Sequence, residues 1–333
     1  MRLGRVAIFG AGGMGTAMAV LLARSGHEVW LWARRPEFIA ELAGSRENAR
    51  YLPGVPLPEP IRLTSDPEQA ARGSDLIVAA IPSSYLRATL RAVAGAIPPG
   101  VPALSVIKGI EQGSLLRPSQ VIREELGPRP ITVLSGPSHA EEIARGLPAS
   151  VVVAGESPEL NVLIRDELTT GRFRVYSNPD AVGVELGGAL KNVIGVAAGI
   201  CDGLGFGDNA KAGLLTRGLA EMTRFGTALG ASPATFLGLA GVGDLITTCF
   251  SPFGRNRALG DRIGRGETLE QIEASTPKVA EGVPTCRGVD AMARQLGIEM
   301  PITAALREIL FESKPPLEAV SELMERQTKD EWP

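Results

Sequence analysis

The sequence predicts an α/β chain in which a doubly wound, mostly parallel sheet is followed by an all-helical half. Three observations carry that reading. Short β-branched runs alternate with helical patterns at Arg5 to Phe9, Glu28 to Ala33, Leu76 to Ile81, Ala103 to Ile107, Ile131 to Leu134 and Ser150 to Ala154, which is the rhythm of βαβ units. Several of those runs are almost wholly apolar (LIVAAI, ITVL, SVVVAG), as strands are when helices cover both faces of the sheet. After Phe173 to Tyr176 the strand signal fades, and long helical patterns follow near 208–229, 282–296, 301–312 and 316–326.

The join falls at Asn178-Pro179-Asp180, because proline restricts the residue before it and Asp180 can cap a helix that starts at Ala181. This divides the chain into residues 1–179 and 180–333. The helix beyond the join, AVGVELGGALKNVIGVAAGI, carries Gly183, Gly187, Gly188, Gly195 and Gly199. Each is disfavoured by about 1 kcal/mol against alanine in a helix interior. Either close helix packing offsets this, or backbone or ligand must approach closely around Lys191.

At 333 residues the chain can bury two cores. An apolar fraction of 44% with 21% charged residues is ordinary for a globular protein and excludes disordered and fibrous classes. A net charge of -3 supplies no broad basic field, which excludes nucleic acid as the main partner. Cys201, Cys249 and Cys286 are odd in number, far apart and without ligand spacing, so reduced thiols and no metal are expected. The first strand pattern begins too early for a secretory leader. The most apolar stretch, near 182–200, contains Glu185 and Lys191, which argues against an integral membrane segment. A cytoplasmic protein is the expectation.

Gly10-Ala11-Gly12-Gly13-Met14-Gly15 forms a G-x-G-x-x-G directly after a strand and at the head of a helical run. In this context the first glycine permits a tight turn, Gly12 lets backbone approach a pyrophosphate, and Gly15 lets helix and strand pack. The helix N-terminus then faces the negative charge. A free adenosine 2'-hydroxyl calls for an acid at the tip of the second strand, yet that strand ends Trp32-Ala33-Arg34-Arg35. Guanidinium groups there suit a 2'-phosphate, so NADPH is expected to be preferred over NADH, or at least well accepted. A solvated arginine pair at a helix start is the plain alternative.

Carbonyl reduction needs a proton donor, and Lys191, mid-helix among small apolar residues, is the best-placed candidate. Desolvation would lower the pKa of such a lysine toward a usable range, whereas a snorkelling surface lysine is the bland reading. Lys108 follows one strand and Ser135-Gly136-Pro137-Ser138 the next, so both aim at the crevice outside the strands' carboxyl ends. Gly136 and the helix start after Ser138 offer backbone donors to an anion, although a simple turn and N-cap explains the same residues. Asp244, within Gly241-Val242-Gly243-Asp244, adds a carboxylate, and Gly254-Arg255-Asn256 adds a fork-shaped phosphate binder beside an amide. His27, in a turn at the far end of the sheet, is read as structural.

The strings GAGGMGTAMA, GHEVWLWARR, IKGIE, LSGPSHAEEIARGLP, ELGGALKNVIGVAAGICDGLGFGDNAKAGLLTRGLAEM, GLAGVGDLITTC, SPFGRNRALG and VAEGV closely resemble bacterial NAD(P)+-dependent glycerol-3-phosphate dehydrogenase, nearly end to end. The resemblance implies a Rossmann domain followed by a helical substrate domain like the C-terminal domain of 6-phosphogluconate dehydrogenase. It implies reversible reduction of dihydroxyacetone phosphate to sn-glycerol 3-phosphate for phospholipid synthesis, and a homodimer. By resemblance Lys191 is the general acid/base and Lys108 touches both nicotinamide and substrate. Gly136, Ser138, Asp244, Gly254, Arg255 and Asn256 surround the substrate, with Arg255 and Asn256 on its phosphate. Gly13, Met14, Arg34, Lys108, Ala140, Arg255, Val279 and Glu281 match cofactor contacts. Two positions depart from the pattern. Gly254 stands where relatives often have serine, which implies a weaker phosphate grip; His139 occupies an aromatic position near a strand's carboxyl end, where contact with a ligand is open and catalysis the lesser alternative, and the resemblance gives it no role.

A related dehydrogenase for another small hydroxy compound and a catalytically silent NADPH sensor are the competing readings. Lys108, Lys191 and Asp244 argue against the silent one.

Overall fold

The computed structural model describes residues 3–276, 280–328 and 330–331. The predicted strands form at β1 (Arg5–Phe9) and β2 (Glu28–Trp32), and a small hairpin, β3 (Glu47–Asn48) and β4 (Leu52–Pro56), precedes β5 (Ile61–Thr64). Then come β6 (Leu76–Ala79), β7 (Ala103–Ser105), β8 (Ile131–Ser135), β9 (Ala149–Gly155) and β10 (Phe173–Asn178). Apart from the hairpin, the strands make one sheet in the order β10-β9-β8-β7-β6-β1-β2-β5. From β5 through β8 neighbouring strands run parallel, whereas β9 lies antiparallel to β8 and parallel to β10. The strand order reverses between β1 and β6, which opens the crevice where such sheets bind ligands.

Alternation along β1 shows why the sheet needs helices on both sides. Val6 and Ile8 enter one apolar core with Leu31 and Val78, while Ala7 and Phe9 enter the opposite core with Trp32 and Ile77. His27, at the start of β2, is buried, with Nδ1 2.9 Å from the Leu3 carbonyl oxygen and Nε2 3.5 Å from Glu167, the structural role expected of it.

The second half is helical. Its central element, the core helix Ala181–Gly203, starts where expected, with the Asp180 carboxylate accepting from the Gly183 N–H at 2.8 Å. By length and mean hydropathy alone this helix and the stretch Pro233–Phe250 are long and apolar enough to cross a membrane. The core helix is apolar because the fold encloses it: 94% of its most apolar window is buried inside the chain. Its glycines explain how neighbours get so close. A Cβ on Gly199 would sit 2.0 Å from the Arg257 carbonyl oxygen, and one on Gly195 would sit 2.6 Å from the Thr248 methyl group. Close packing is therefore what offsets the helix-propensity loss, and the elements packed closest carry Thr248 and Asn256.

A buried carboxylate ties two further helices together. Glu221 accepts from the backbone N–H of Ile302 at 2.6 Å and from the N–H and hydroxyl of Thr303 at 3.3 and 3.2 Å, at the start of the helix Pro301–Glu312. Burial raises this carboxyl from its ordinary 4.5 to about 7, against the pull of those hydrogen bonds. The folded chain thus keeps a proton that the unfolded chain releases, so this group's contribution is fully present below pH 4.5 and declines as the pH rises toward 7. Relative to Glu221→Gln, wild type should lose about 3 kcal/mol of stability across that interval. Denaturant midpoints at several pH values check it, and parallel curves for the two proteins contradict it.

Candidate active site

The glycine-rich turn is shaped as the sequence predicts. Gly10 has φ +114°, and a Cβ there would lie 2.4 Å from the Ala80 carbonyl oxygen; a Cβ on Gly15 would lie 1.8 Å from the Gly10 carbonyl oxygen. At Gly12 the same atom would meet nothing within 4 Å, which leaves open space above the turn. The helix Gly13–Arg24 begins there with no acidic residue in its first turn, so its positive end is uncompensated. These features fit a dinucleotide pyrophosphate. Met14 packs partly into the adjoining core, and Ala140 lies against Gly13. Arg34 and Arg35 are exposed just past the end of β2, with the Arg35 guanidinium over the Phe38 ring at 5.7 Å.

Beyond the carboxyl ends of β7 and β8, two lysines converge on one carboxylate. Lys108 Nζ donates to Asp244 Oδ2 at 2.7 Å, to the Gly136 carbonyl at 2.8 Å and to Ser138 Oγ at 2.9 Å. Lys191 Nζ donates to Thr248 Oγ1 at 2.6 Å and lies 3.2 Å from Asp244 Oδ1. Asp244 is buried, which by itself raises a carboxyl pKa, yet the two ammonium groups and their hydrogen bonds hold it below its ordinary value. Lys108 falls to about 8, chiefly through burial and further through the Lys191 charge, with Asp244 opposing. Gly136 meets Lys108 as an acceptor, through its carbonyl, and the helix after Ser138 is a six-residue turn, Ala140–Arg145, too short for a strong anion site.

Around this pair the remaining candidates fall into place or apart. Asn192, next to Lys191, donates to the Lys108 carbonyl at 3.1 Å and accepts from Asn256 Nδ2 at 2.8 Å, and Asn256 Oδ1 accepts from the Gly282 N–H at 2.9 Å. Asn256 is thus a buried strut between helices as well as a neighbour of the cleft. Gly254 caps the helix Arg255–Gly264, and a Cβ on it would lie 3.0 Å from the Thr248 carbonyl oxygen, so glycine relieves a tight contact there. Arg255 is exposed at the first turn of that helix. Glu281 is partly buried and accepts from Ser83 Oγ at 2.7 Å and Ser83 N–H at 3.3 Å, joining the two halves, and desolvation raises its pKa. Val279 lies outside the described residues.

Sequence reasoning missed Thr248, Asn192 and Ser83. Thr248 had a usable signal: it sits one helical turn after Asp244, on the same face of the helix Asp244–Phe250.

A glycine-rich turn at one end of a crevice, linked through Ala140 and Ser138 to two ammonium groups on one buried carboxylate at the other, is the arrangement of a nicotinamide-dependent oxidoreductase. Comparison with known proteins narrows the class. Residues 5–161 match the model for the NAD-dependent glycerol-3-phosphate dehydrogenase N-terminus, and residues 180–321 match the model for its C-terminus. The chain belongs to the NAD-dependent glycerol-3-phosphate dehydrogenase family. It is 49% identical over 329 residues to a glycerol-3-phosphate dehydrogenase (NAD(P)+) of Salinibacter ruber, covering 98% of this chain and 96% of the relative. With that of Chlorobium phaeobacteroides it is 48% identical over 330 residues, covering 98% and 99%. The crystal structure of glycerol-3-phosphate dehydrogenase from Coxiella burnetii superposes with a TM-score of 0.93 at 38% identity, covering 97% of this chain and 99% of that one. The chain is accordingly an oxidoreductase that uses NAD or NADP and interconverts dihydroxyacetone phosphate and sn-glycerol 3-phosphate.

Proposed function

We propose that the cleft around Asp244 carries the reaction, with Lys191 as general acid/base. The observation that supports this most is the single buried carboxylate shared by Lys108 and Lys191 beside the dinucleotide turn. Bound nicotinamide supplies the reducing equivalents. Lys191 Nζ gives its proton to the carbonyl oxygen in reduction and takes it back in oxidation. Asp244 keeps both amines in place, and Thr248 Oγ1 fixes the direction of Lys191. Lys108 and Ser138 hold the substrate's polar atoms near the ring, with Gly136 fixing Lys108 through its carbonyl. Gly254, Arg255 and the second N–H of Asn256 take the phosphate, and this remote grip positions the reacting carbon. Gly10, Gly12, Gly13, Met14, Gly15 and Ala140 receive the dinucleotide, with Arg255 and Glu281 on its nicotinamide side.

On this reading residues 1–179 bind cofactor and residues 180–333 bind substrate. The protein works as a cytoplasmic homodimer whose product supplies the backbone of glycerophospholipids. Family membership supports these points, as do the exposed apolar side chains Leu237 and Ile246 for the dimer.

Arg34 and Arg35 face the 2'-phosphate of NADPH, supported by their exposed position past β2 and the absence of a carboxylate at that tip. Assays with dihydroxyacetone phosphate and each cofactor check the point. Wild type favours NADPH, and Arg34→Asp reverses the preference by about tenfold or more, as expected when one charge-assisted hydrogen bond is removed. An unchanged ratio clears Arg34 of phosphate recognition.

A further inference from the structure

His139 lies between Ser138 and the short helix Ala140–Arg145, at its N-cap position, yet its side chain makes no capping bond. The ring meets Phe253 from the helical half edge-on, with centroids 6.1 Å apart. These two residues therefore flank the cleft between Ser138 and Gly254. The Nε2 atom of His139 is buried and has no hydrogen-bond partner among the described residues. Native folds rarely leave a buried polar atom unpaired, and in a cleft that receives a hydroxyl-bearing ligand the ligand supplies the partner.

The chemistry of the ring narrows which part of the ligand it meets. Burial, then the charges of Lys191 and Lys108, hold the imidazole pKa below its ordinary value, with Glu142 and Asp244 opposing. An uncharged imidazole carries one donor and one acceptor, the complement of a hydroxyl and a poor match for a phosphate. Arg255 serves the phosphate and Lys191 the carbonyl oxygen. We propose that His139 is a substrate-contacting residue whose buried Nε2 hydrogen-bonds the free hydroxyl of the triose phosphate, at the end remote from the phosphate. The inference rests on the cleft assignment made above and adds a specificity element to it.

The test uses the whole enzyme with two substrates, dihydroxyacetone phosphate and hydroxyacetone phosphate, which lacks only that hydroxyl. His139→Leu should lower kcat/KM on dihydroxyacetone phosphate about five- to tenfold, and less than about twofold on hydroxyacetone phosphate, as expected for one neutral hydrogen bond. His139→Gln, which keeps a hydrogen-bonding group at similar reach, should recover to within about threefold of wild type. NADPH binding, followed by fluorescence, should not change in either variant. Equal losses on the two substrates, no loss on either, or a Gln variant as impaired as Leu would overturn the proposal. A Lys191→Met control separates the layers. If that variant turns over at the wild-type rate, the cleft reading itself fails. If it is dead while both His139 variants behave as wild type, only the inference about His139 fails.

Discussion

Replacing Lys191 by methionine is expected to lower kcat for dihydroxyacetone phosphate reduction by about 10² to 10⁴, the range for removal of a positioned general acid. Methionine has a similar length and no proton to give. The variant should still fold, because Asp244 retains its 2.7 Å ion pair with Lys108. Its affinity for NADPH should stay within about twofold, since the dinucleotide turn is built from Gly10 to Gly15 and the helix behind it. Steady-state assays and a fluorescence titration of NADPH measure the two quantities separately. A wild-type kcat in this variant removes Lys191 from the chemistry.

Asp244→Asn should have the second largest effect, on stability as well as rate. The carboxylate is buried between two ammonium groups, so removing its charge leaves Lys108 and Lys191 facing each other without compensation. Breaking a buried pair in this way typically destabilises by about 3 to 5 kcal/mol. The fold can relieve part of that by shedding a proton from Lys108, whose pKa of about 8 is held up by Asp244 and would drop further in the variant. Two signed consequences follow. The variant's stability deficit is largest at lower pH, where Lys108 is charged in both proteins, and it narrows as the pH rises toward about 8, above which the two curves run parallel. The alkaline limb of kcat/KM for reduction moves to lower pH, because the Lys108 ammonium is lost sooner. Thermal unfolding and pH-rate profiles read these shifts; a variant with wild-type stability at pH 6 and an unmoved alkaline limb contradicts the shared-carboxylate account.

Much of the fold is legible in the sequence because each element repeats one physical rule. β1, β2, β6, β8 and β9 are apolar runs bounded by turn residues, and the helices Asp208–Ala228, Gly282–Leu296 and Pro301–Glu312 keep a helical period to within a residue of the expected limits. What escaped was short or non-local. Ile61–Thr64 is a four-residue edge strand after a proline-rich turn, with only two buried side chains, Ile61 and Thr64, to show for its pairing with β2. The antiparallel direction of β9 cannot be read from its residues, since a buried strand looks the same either way along. At the site, chain position announced Lys108 and Ser138, because strand ends mark the crevice. The bridging by Asp244 did not follow from sequence. It depends on the Leu239–Gly243 turn setting the Asp244–Phe250 helix against the core helix, where a Cβ on Gly187 would sit 2.5 Å from the Ala240 carbonyl oxygen. Two lysines 83 positions apart share one carboxylate only after that packing is complete.

A crystal structure of the protein with oxidised cofactor and dihydroxyacetone phosphate, a pair that cannot react, tests the assignment most directly. The expected result is Lys191 Nζ at about 3 Å from the carbonyl oxygen, within the hydrogen-bond reach a proton donor needs, with the phosphate at Arg255. A carbonyl oxygen held by a different donor, with Lys191 turned toward Thr248 and away from the substrate, would contradict it.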